Sequence, residues 1–170
     1  MRTKIWAILC DVKFKTYILS YLVDKYQKWE RNLNIFLVIA SSSSIAAWAI
    51  WKVNPFLWSS IIAGSQVLTV VKPYFPYFKY VKELNSKLLR LENLNIEIEK
   101  LWYKLQENKI NEDEASELYF EIKKQITDIL NFNDDTIFDV SEEMKDIANQ
   151  RMKNYLATNY NVHIIITKTK

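Results

Sequence analysis

The feature that most constrains the fold of this 170-residue chain is a pair of consecutive stretches without charge. Residues 32–51 lie between Arg31 and Lys52, and residues 53–71 lie between Lys52 and Lys72. A bilayer core about 30 Å thick is crossed by about 20 mostly apolar helical residues. The pattern therefore predicts a transmembrane hairpin, and a pair of buried helices in a bundle is the alternative.

The composition narrows the fold class further. One Gly and three Pro leave little material for tight turns or phosphate-binding loops, which argues against a β-sandwich, a Rossmann unit or a P-loop domain. A single Cys excludes an internal disulfide framework, and a single His excludes a pair of His ligands for a metal. We therefore expect an all-α membrane protein, with a transmembrane hairpin between a basic N-terminal helix and a cytoplasmic helical or coiled-coil arm.

Charge predicts the orientation of the hairpin. Lys and Arg are frequent before residue 32 and after residue 71, whereas the connection between the two stretches carries only Lys52. Positive charges close to membrane helices are retained on the cytoplasmic side. We therefore expect the hairpin in the inner (plasma) membrane, with both termini in the cytoplasm.

The chain divides into four predicted segments. Residues 1–31 predict a basic amphipathic helix, which either lies along the membrane surface or continues into the first uncharged stretch. Residues 32–71 form the hairpin. Residues 72–130 predict a cytoplasmic helical hairpin or coiled coil, and residues 131–170 predict a C-terminal helix and a β-branched tail.

Local signals predict where the helices after the hairpin begin. Residues 107–109 are typical of a bend between two helices. Asn111, followed by Glu114, predicts the start of the next helix, since an Asn side chain caps the first turn. Ser141 predicts the start of the last helix, since a Ser side chain also caps the first turn.

A heptad pattern runs from residue 80 to residue 106. Its apolar positions predict either a coiled coil between chains or a helix that packs only within its own chain. The polar exception is Asn95, which in a coiled coil would fix the register or the oligomeric state. The a positions are Val81, Leu88, Asn95 and Trp102, and the d positions are Leu84, Leu91, Ile98 and Leu105.

Polar side chains interrupt both uncharged stretches. In lipid such groups are satisfied by packing against other helices or by facing a polar lumen, so they are candidates for pore lining or for interhelix packing. The candidates are Ser41, Ser42, Ser43, Ser44, Ser60, Ser65, Gln66 and Thr69.

Basic side chains after the second stretch form a second candidate group. They predict a collar that contacts lipid headgroups or, in an oligomer, binds an anion. The members are Lys79, Lys82, Lys87 and Arg90.

No pattern of residues predicts catalysis. The sequence has no glycine loop, no nucleophile motif, no cluster of metal-ligand type and no pair of carboxylates that stands out, so we expect no enzyme, no cofactor and no metal. His163, in the terminal segment, is interpreted as a bystander. The basic N-terminal half is explained by membrane topology, so no double-stranded nucleic acid partner is expected.

The basic, aromatic residues 26–31 (YQKWER), the short uncharged hairpin and the long heptad-bearing helix together resemble the SLATT families. These are two-transmembrane effector proteins found beside nucleotidyltransferases and nucleotide-sensing proteins in prokaryotic antiviral systems. The resemblance spans about residues 15–125. It implies an effector controlled by a nucleotide ligand or by a partner nucleotidyltransferase, and it supplies no catalytic residues.

The resemblance implies a membrane effector of anti-phage defence that acts in abortive infection. It would form a homo-oligomeric channel or pore in the lipid bilayer, gated from the cytoplasm. Two alternatives remain open at this point. The protein could be a membrane-anchored scaffold or interaction protein, or an accessory protein that blocks another pore.

Overall fold

The computed structural model describes residues 1–42, 55–72, 76–132 and 140–160. Every regular element within these ranges is a helix, which confirms the all-helical part of the predicted fold. The helices are α1 (Arg2–Ser42), α2 (Pro55–Val71), α3 (Pro76–Gln106), α4 (Glu112–Leu130) and α5 (Glu142–Tyr160).

The predicted transmembrane hairpin is wrong, because no helix in the described part of the chain is both long and apolar enough to cross a bilayer. Helix α2 has 17 residues. A helix of that length rises about 26 Å, less than the roughly 30 Å of a bilayer core. Helix α1 has 41 residues, but charged side chains recur along it as far as Arg31. Residues 43–54, which include the remainder of the first uncharged stretch (43–51), lie outside the described residues.

The same finding overturns the predicted inner-membrane location and the predicted membrane channel. Both were derived from two bilayer-spanning helices, and no described helix meets that requirement. The distribution of Lys and Arg orients helices that span a membrane, so it carries no information on topology without them.

Helix α1 runs without a break from Arg2 to Ser42, so the segment predicted over residues 1–31 continues into the first uncharged stretch. A helix that continues past residue 31 was one of the two alternatives, but the membrane span that it was expected to join is not found among the described helices. The buried apolar side chains near its start recur every three, four or seven residues, the spacing of one helix face. They are Ile5, Leu9, Val12, Leu19 and Leu22.

The chain forms two compact units. Unit 1 comprises residues 1–22 and 85–170, and unit 2 comprises residues 23–84. Unit 1 therefore contains the start of α1, most of α3 and all of α4 and α5. Its apolar core receives side chains from all four helical segments, among them Leu9, Ile98, Ile122 and Leu156.

The heptad face of α3 is buried within the single chain. Leu84, Leu91 and Ile98 are fully buried, and Leu88 and Leu105 are nearly so. Of the two alternatives for this helix, the structure shows packing within its own chain. The apolar face that a coiled coil would use is therefore already occupied.

Asn95 lies in this buried face and is 2% exposed. Its Nδ2 donates a hydrogen bond of 2.8 Å to Oγ1 of Thr16 in α1. The Thr16 hydroxyl donates its one proton to the carbonyl oxygen of Val12 at 2.8 Å. Oγ1 can therefore only accept the hydrogen bond from Asn95. Asn95 Oδ1 is buried and accepts no hydrogen bond from the described residues.

The predicted helix boundaries after α3 are confirmed. Asn108 adopts a left-handed conformation (φ 53°) in the turn that follows α3, a region that Asn tolerates better than most residues. Asn111 Oδ1 accepts a hydrogen bond of 2.7 Å from the amide of Glu114 at the start of α4. Ser141 Oγ accepts one of 3.3 Å from the amide of Met144 at the start of α5.

The buried Asn95–Thr16 pair generates a prediction about stability. Replacing Asn95 by Leu should raise the free energy of unfolding by about 1 kcal/mol, because it removes a buried oxygen without a partner while Thr16 keeps its bond to Val12. Replacing Thr16 by Val should lower that free energy by about 1–3 kcal/mol, because Asn95 Nδ2 loses its acceptor. Urea unfolding of the full chain measures both, and equal losses in the two variants would contradict this assignment.

Candidate functional site

Unit 2 exposes large apolar side chains on two helices. We define the unit 2 surface by Ile35 and Phe36 of α1 and Phe56, Val67 and Val70 of α2, which are 50%, 42%, 82%, 61% and 66% exposed. Isolated exposed apolar residues are normal, whereas contiguous apolar patches mark interaction sites. Phe56, Val67 and Val70 lie on one side of α2 by their spacing. Further exposed apolar side chains of unit 2 are Trp29, Val38, Ile39, Ile62 and Val71.

The helix α2 carries no charged residue from Pro55 to Val71. Its only glycine, Gly64, faces open space, since a Cβ atom placed there would meet nothing within 4 Å. Ser60 and Ala63 beside it are also exposed. Small side chains of this kind let the backbone of another helix approach closely.

Three hydroxyls of α2 are satisfied inside their own helix. Ser60 donates to the carbonyl oxygen of Phe56 at 2.9 Å, Ser65 to that of Ile62 at 2.8 Å, and Thr69 to that of Ser65 at 2.8 Å. Such bonds back to the preceding turn remove the need for a partner from another helix. These hydroxyls therefore place no demand of their own on a lumen or on a neighbouring chain.

The other predicted polar candidates are placed as follows. Gln66 is exposed on α2. Ser41 and Ser42 are the last two residues of α1. Ser43 and Ser44 lie outside the described residues.

Among the described side chains of the predicted basic collar, Lys87 makes structural contacts. Lys87 is 8% exposed, and its Nζ donates to the carbonyl oxygen of Asn131 just after α4 and lies 4.1 Å from the ring centroid of Phe132. A cation at that position compensates the negative end of the α4 dipole. Lys82 and Arg90 are exposed, and Lys79 belongs to α3.

Unit 1 contains a polar network that the sequence patterns did not predict. Glu99 of α3 accepts a hydrogen bond of 2.6 Å from the Tyr155 hydroxyl of α5 and lies 2.9 Å from Lys13 Nζ of α1. The same Lys13 Nζ lies 3.9 Å from the centroid of the Tyr155 ring, a cation–π distance. One carboxylate thus connects three helices. Its partners are 56 and more positions away in sequence, so periodicity alone gives no signal for them.

Aromatic rings continue this network. The Trp6 ring lies 5.0 Å from that of Trp102 and 5.3 Å from that of Tyr160, measured between centroids. Burial raises the pKa of Tyr160 to about 12, with a smaller contribution from the negative charge of Glu99. Burial also raises the pKa of Tyr155, and its hydrogen bond to Glu99 raises it further. Burial likewise raises the pKa of the Cys10 thiol, which disfavours its reactive thiolate form.

A cavity of about 850 Å³ lies in unit 1 between α3, α4 and the end of α5. Its volume falls in the range of small-molecule sites. Trp102, Ile122 and Tyr160 contribute apolar wall, whereas Lys100 and Glu121 contribute opposite charges. Because the charges are of both signs, the cavity does not select a ligand of one charge.

The described residues form no site for metal-dependent catalysis. No group of three His, Cys, Asp or Glu side chains among them could hold a metal ion. His163 lies outside the described residues. The unit 2 surface is a candidate binding surface, because its apolar side chains are exposed.

Comparison of the chain with family models, with curated proteins and with solved structures gives no match. The resemblance to the SLATT families therefore stays a prediction.

The tyrosines of the Glu99 network predict a loss of stability in alkali. Above pH 10 the unfolded chain releases the phenol protons of Tyr155 and Tyr160, whereas the folded chain holds them to higher pH. Ionisation of Tyr160 therefore favours the unfolded chain from pH 10 up to its raised pKa of about 12, and that of Tyr155 continues to do so at higher pH. Below pH 10 the contribution of both groups is constant.

Unfolding free energies measured across this pH window test the assignment. A chain with Tyr155→Phe and Tyr160→Phe should lose less stability above pH 10 than the unmodified chain. Tyr119→Phe, outside the network, is the matched control and should follow the unmodified chain. Identical alkaline profiles for the double variant and the unmodified chain would contradict the assignment.

Proposed function

We propose that this protein is a self-assembling helical scaffold, in which the unit 2 surface binds the same surface of further copies. This is the interaction-protein alternative from the sequence, without its membrane anchor. The observation that carries the proposal is the exposure of Ile35, Phe36, Phe56, Val67 and Val70 to solvent. Burying a half-exposed side chain of this size stabilises a complex by on the order of 1 kcal/mol.

The lack of charge on α2 favours a second copy as the occupant of this surface. A partner that presents charged side chains to α2 would bury them without counter-ions, which is unfavourable. A second copy presents the same uncharged helix, so no charge is desolvated. Self-complementary contact of one patch with its own copy is also the commonest arrangement in homo-oligomers.

Small residues on the same helix support close packing of copies. Ser60, Ala63 and Gly64 are exposed, and the space next to Gly64 is open. A neighbouring helix can approach there with its backbone close to that of α2. In this arrangement the hydroxyl of Ser60 keeps its own bond to Phe56 and needs nothing from the neighbour.

A second part of the proposal rests on the SLATT resemblance. We propose that the assembled scaffold serves in anti-phage defence, under the control of a nucleotide or of a partner protein. The support is the pattern of residues 26–31 together with the long heptad-bearing helix.

Placing two negative charges on α2 tests the assembly. The unmodified chain should give a molar mass above the 20.3 kDa of one copy in sedimentation velocity, rising with concentration. Val67→Asp with Val70→Asp should shift the chain to lower mass at each concentration, because each carboxylate would be buried without a partner.

The matched control places the same charges on an exposed surface of unit 1, as Gln150→Asp with Thr158→Asp in α5. This variant should assemble like the unmodified chain. Circular dichroism checks that all three proteins keep their helix content. A monomeric unmodified chain at every concentration would contradict the proposal, and so would equal assembly of the α2 variant.

The defence role is tested separately in cells. Cells that carry the gene with its natural neighbours should show a lower plating efficiency of at least some phages than cells that lack it. The Val67→Asp, Val70→Asp variant should lose this protection if assembly is required. Undiminished phage plating across a broad panel would contradict the defence role and leave the assembly result untouched.

A further inference from the structure

Helix α3 carries a second apolar stripe, which is about half exposed and borders the open cavity of unit 1 at Ile96 and Tyr103. Leu89, Ile96 and Tyr103 are 54%, 51% and 56% exposed, although most apolar residues of this helix are buried. They are spaced by seven residues, close to two helical turns, so they lie along one side of the helix. Each lies one position after a residue that occupies heptad position a of the buried face. That offset is the signal by which the sequence could have revealed the stripe.

Two exposed charges flank the central residue of this stripe. Glu92 lies four positions before Ile96, and Lys100 lies four positions after it. Neither side chain makes a hydrogen bond or ion pair with the rest of the described chain. Both are therefore available to a partner without breaking a contact of the fold.

The order of these residues is complementary to itself in the antiparallel direction. If two α3 helices cross at Ile96, Leu89 of each copy lies level with Tyr103 of the other, and Glu92 lies level with Lys100. Parallel pairing would instead bring Glu92 close to Glu92 and Lys100 close to Lys100. Like charges facing each other oppose association, so the antiparallel arrangement is favoured.

We propose that the exposed stripe of α3 binds the same stripe of a second copy, antiparallel, with the two-fold axis at Ile96. Three apolar side chains and two symmetry-related Glu92–Lys100 pairs would make the contact. The contact is small, so it predicts weak dimerisation that depends on concentration and on salt. The inference does not depend on the unit 2 surface, because it uses residues of unit 1 alone.

Disulfide cross-linking tests the arrangement directly. The tests use the full chain with Cys10→Ser, so that the introduced thiols are alone. Ile96→Cys should give a covalent dimer under mild oxidation, because its two copies meet at the axis. Leu89→Cys by itself should not, because an antiparallel pair puts its two copies about 21 Å apart along the helix, far beyond disulfide reach.

A mixture completes the cross-linking test. Chains with Leu89→Cys and chains with Tyr103→Cys should cross-link to each other when mixed. Cross-linking of Leu89→Cys to itself at the rate of Ile96→Cys would overturn the antiparallel arrangement. Absence of cross-linking at Ile96→Cys and in the mixture would overturn the contact altogether.

Charge exchange gives an independent test that does not use thiols. It is carried out on the Val67→Asp, Val70→Asp background, in which the proposed unit 2 contact is blocked. Lys100→Glu and Glu92→Lys should each weaken dimerisation several-fold, because each places like charges at the same level. The double variant Glu92→Lys, Lys100→Glu should restore it, and Lys124→Glu on α4 is the matched control with no effect.

The outcomes separate the two proposals. If the α2 test shows no assembly through unit 2, but the charge exchange on α3 weakens and then restores dimerisation, the stripe proposal stands and the unit 2 proposal fails. Failure of the double variant to restore dimerisation would overturn the stripe proposal, whatever the behaviour of unit 2. The cross-linking result remains decisive if the unit 2 background does not keep its helix content.

Discussion

The burial of one face of α3 against the other helices of unit 1 is the contact on which the rest of this structure depends. Leu91 and Ile98 anchor that face, and Asn95 reaches across to Thr16 in α1. Apolar burial supplies most of the stability of such a unit, and the Asn95–Thr16 bond adds directional specificity at a buried polar position. Because this face is used within the chain, any contact between chains has to use another surface.

The surfaces that remain differ in chemistry. Unit 2 presents an uncharged helix, α2, whose hydroxyls are bonded to its own backbone and whose valines point to solvent. Unit 1 presents a narrow apolar stripe flanked by charges of both signs. The first surface favours association through apolar burial alone. The charges of the second also favour an antiparallel arrangement of two α3 helices. A chain with two separate self-complementary surfaces can build assemblies larger than a dimer.

Much of the helix pattern could be predicted from the sequence. Caps such as Asn111 and Ser141 are local signals that act within one turn, and the heptad positions of α3 directly mark its buried face. The transmembrane hairpin could not be judged in the same way. The length of an uncharged stretch does not give the length of the helix within it, and α2 is only 17 residues long.

The sequence patterns also did not predict the hydrogen bonds between residues that are distant in sequence. The Asn95–Thr16 bond joins positions 79 residues apart, and the Glu99–Tyr155 bond joins positions 56 apart. Which helices meet is decided by packing of whole faces, so neither pair leaves a mark in local periodicity. For the unit 2 surface, apolar residues were recognised from the sequence, but their exposure in the folded chain was not.

Hydrogen exchange followed by mass spectrometry at several protein concentrations tests the assembly most directly, because it reports where burial occurs. Our account predicts that the amides of α2 become more protected as concentration rises, while those of α5 do not change. Protection of α2 that is independent of concentration would contradict the claim that copies of this chain cover that helix.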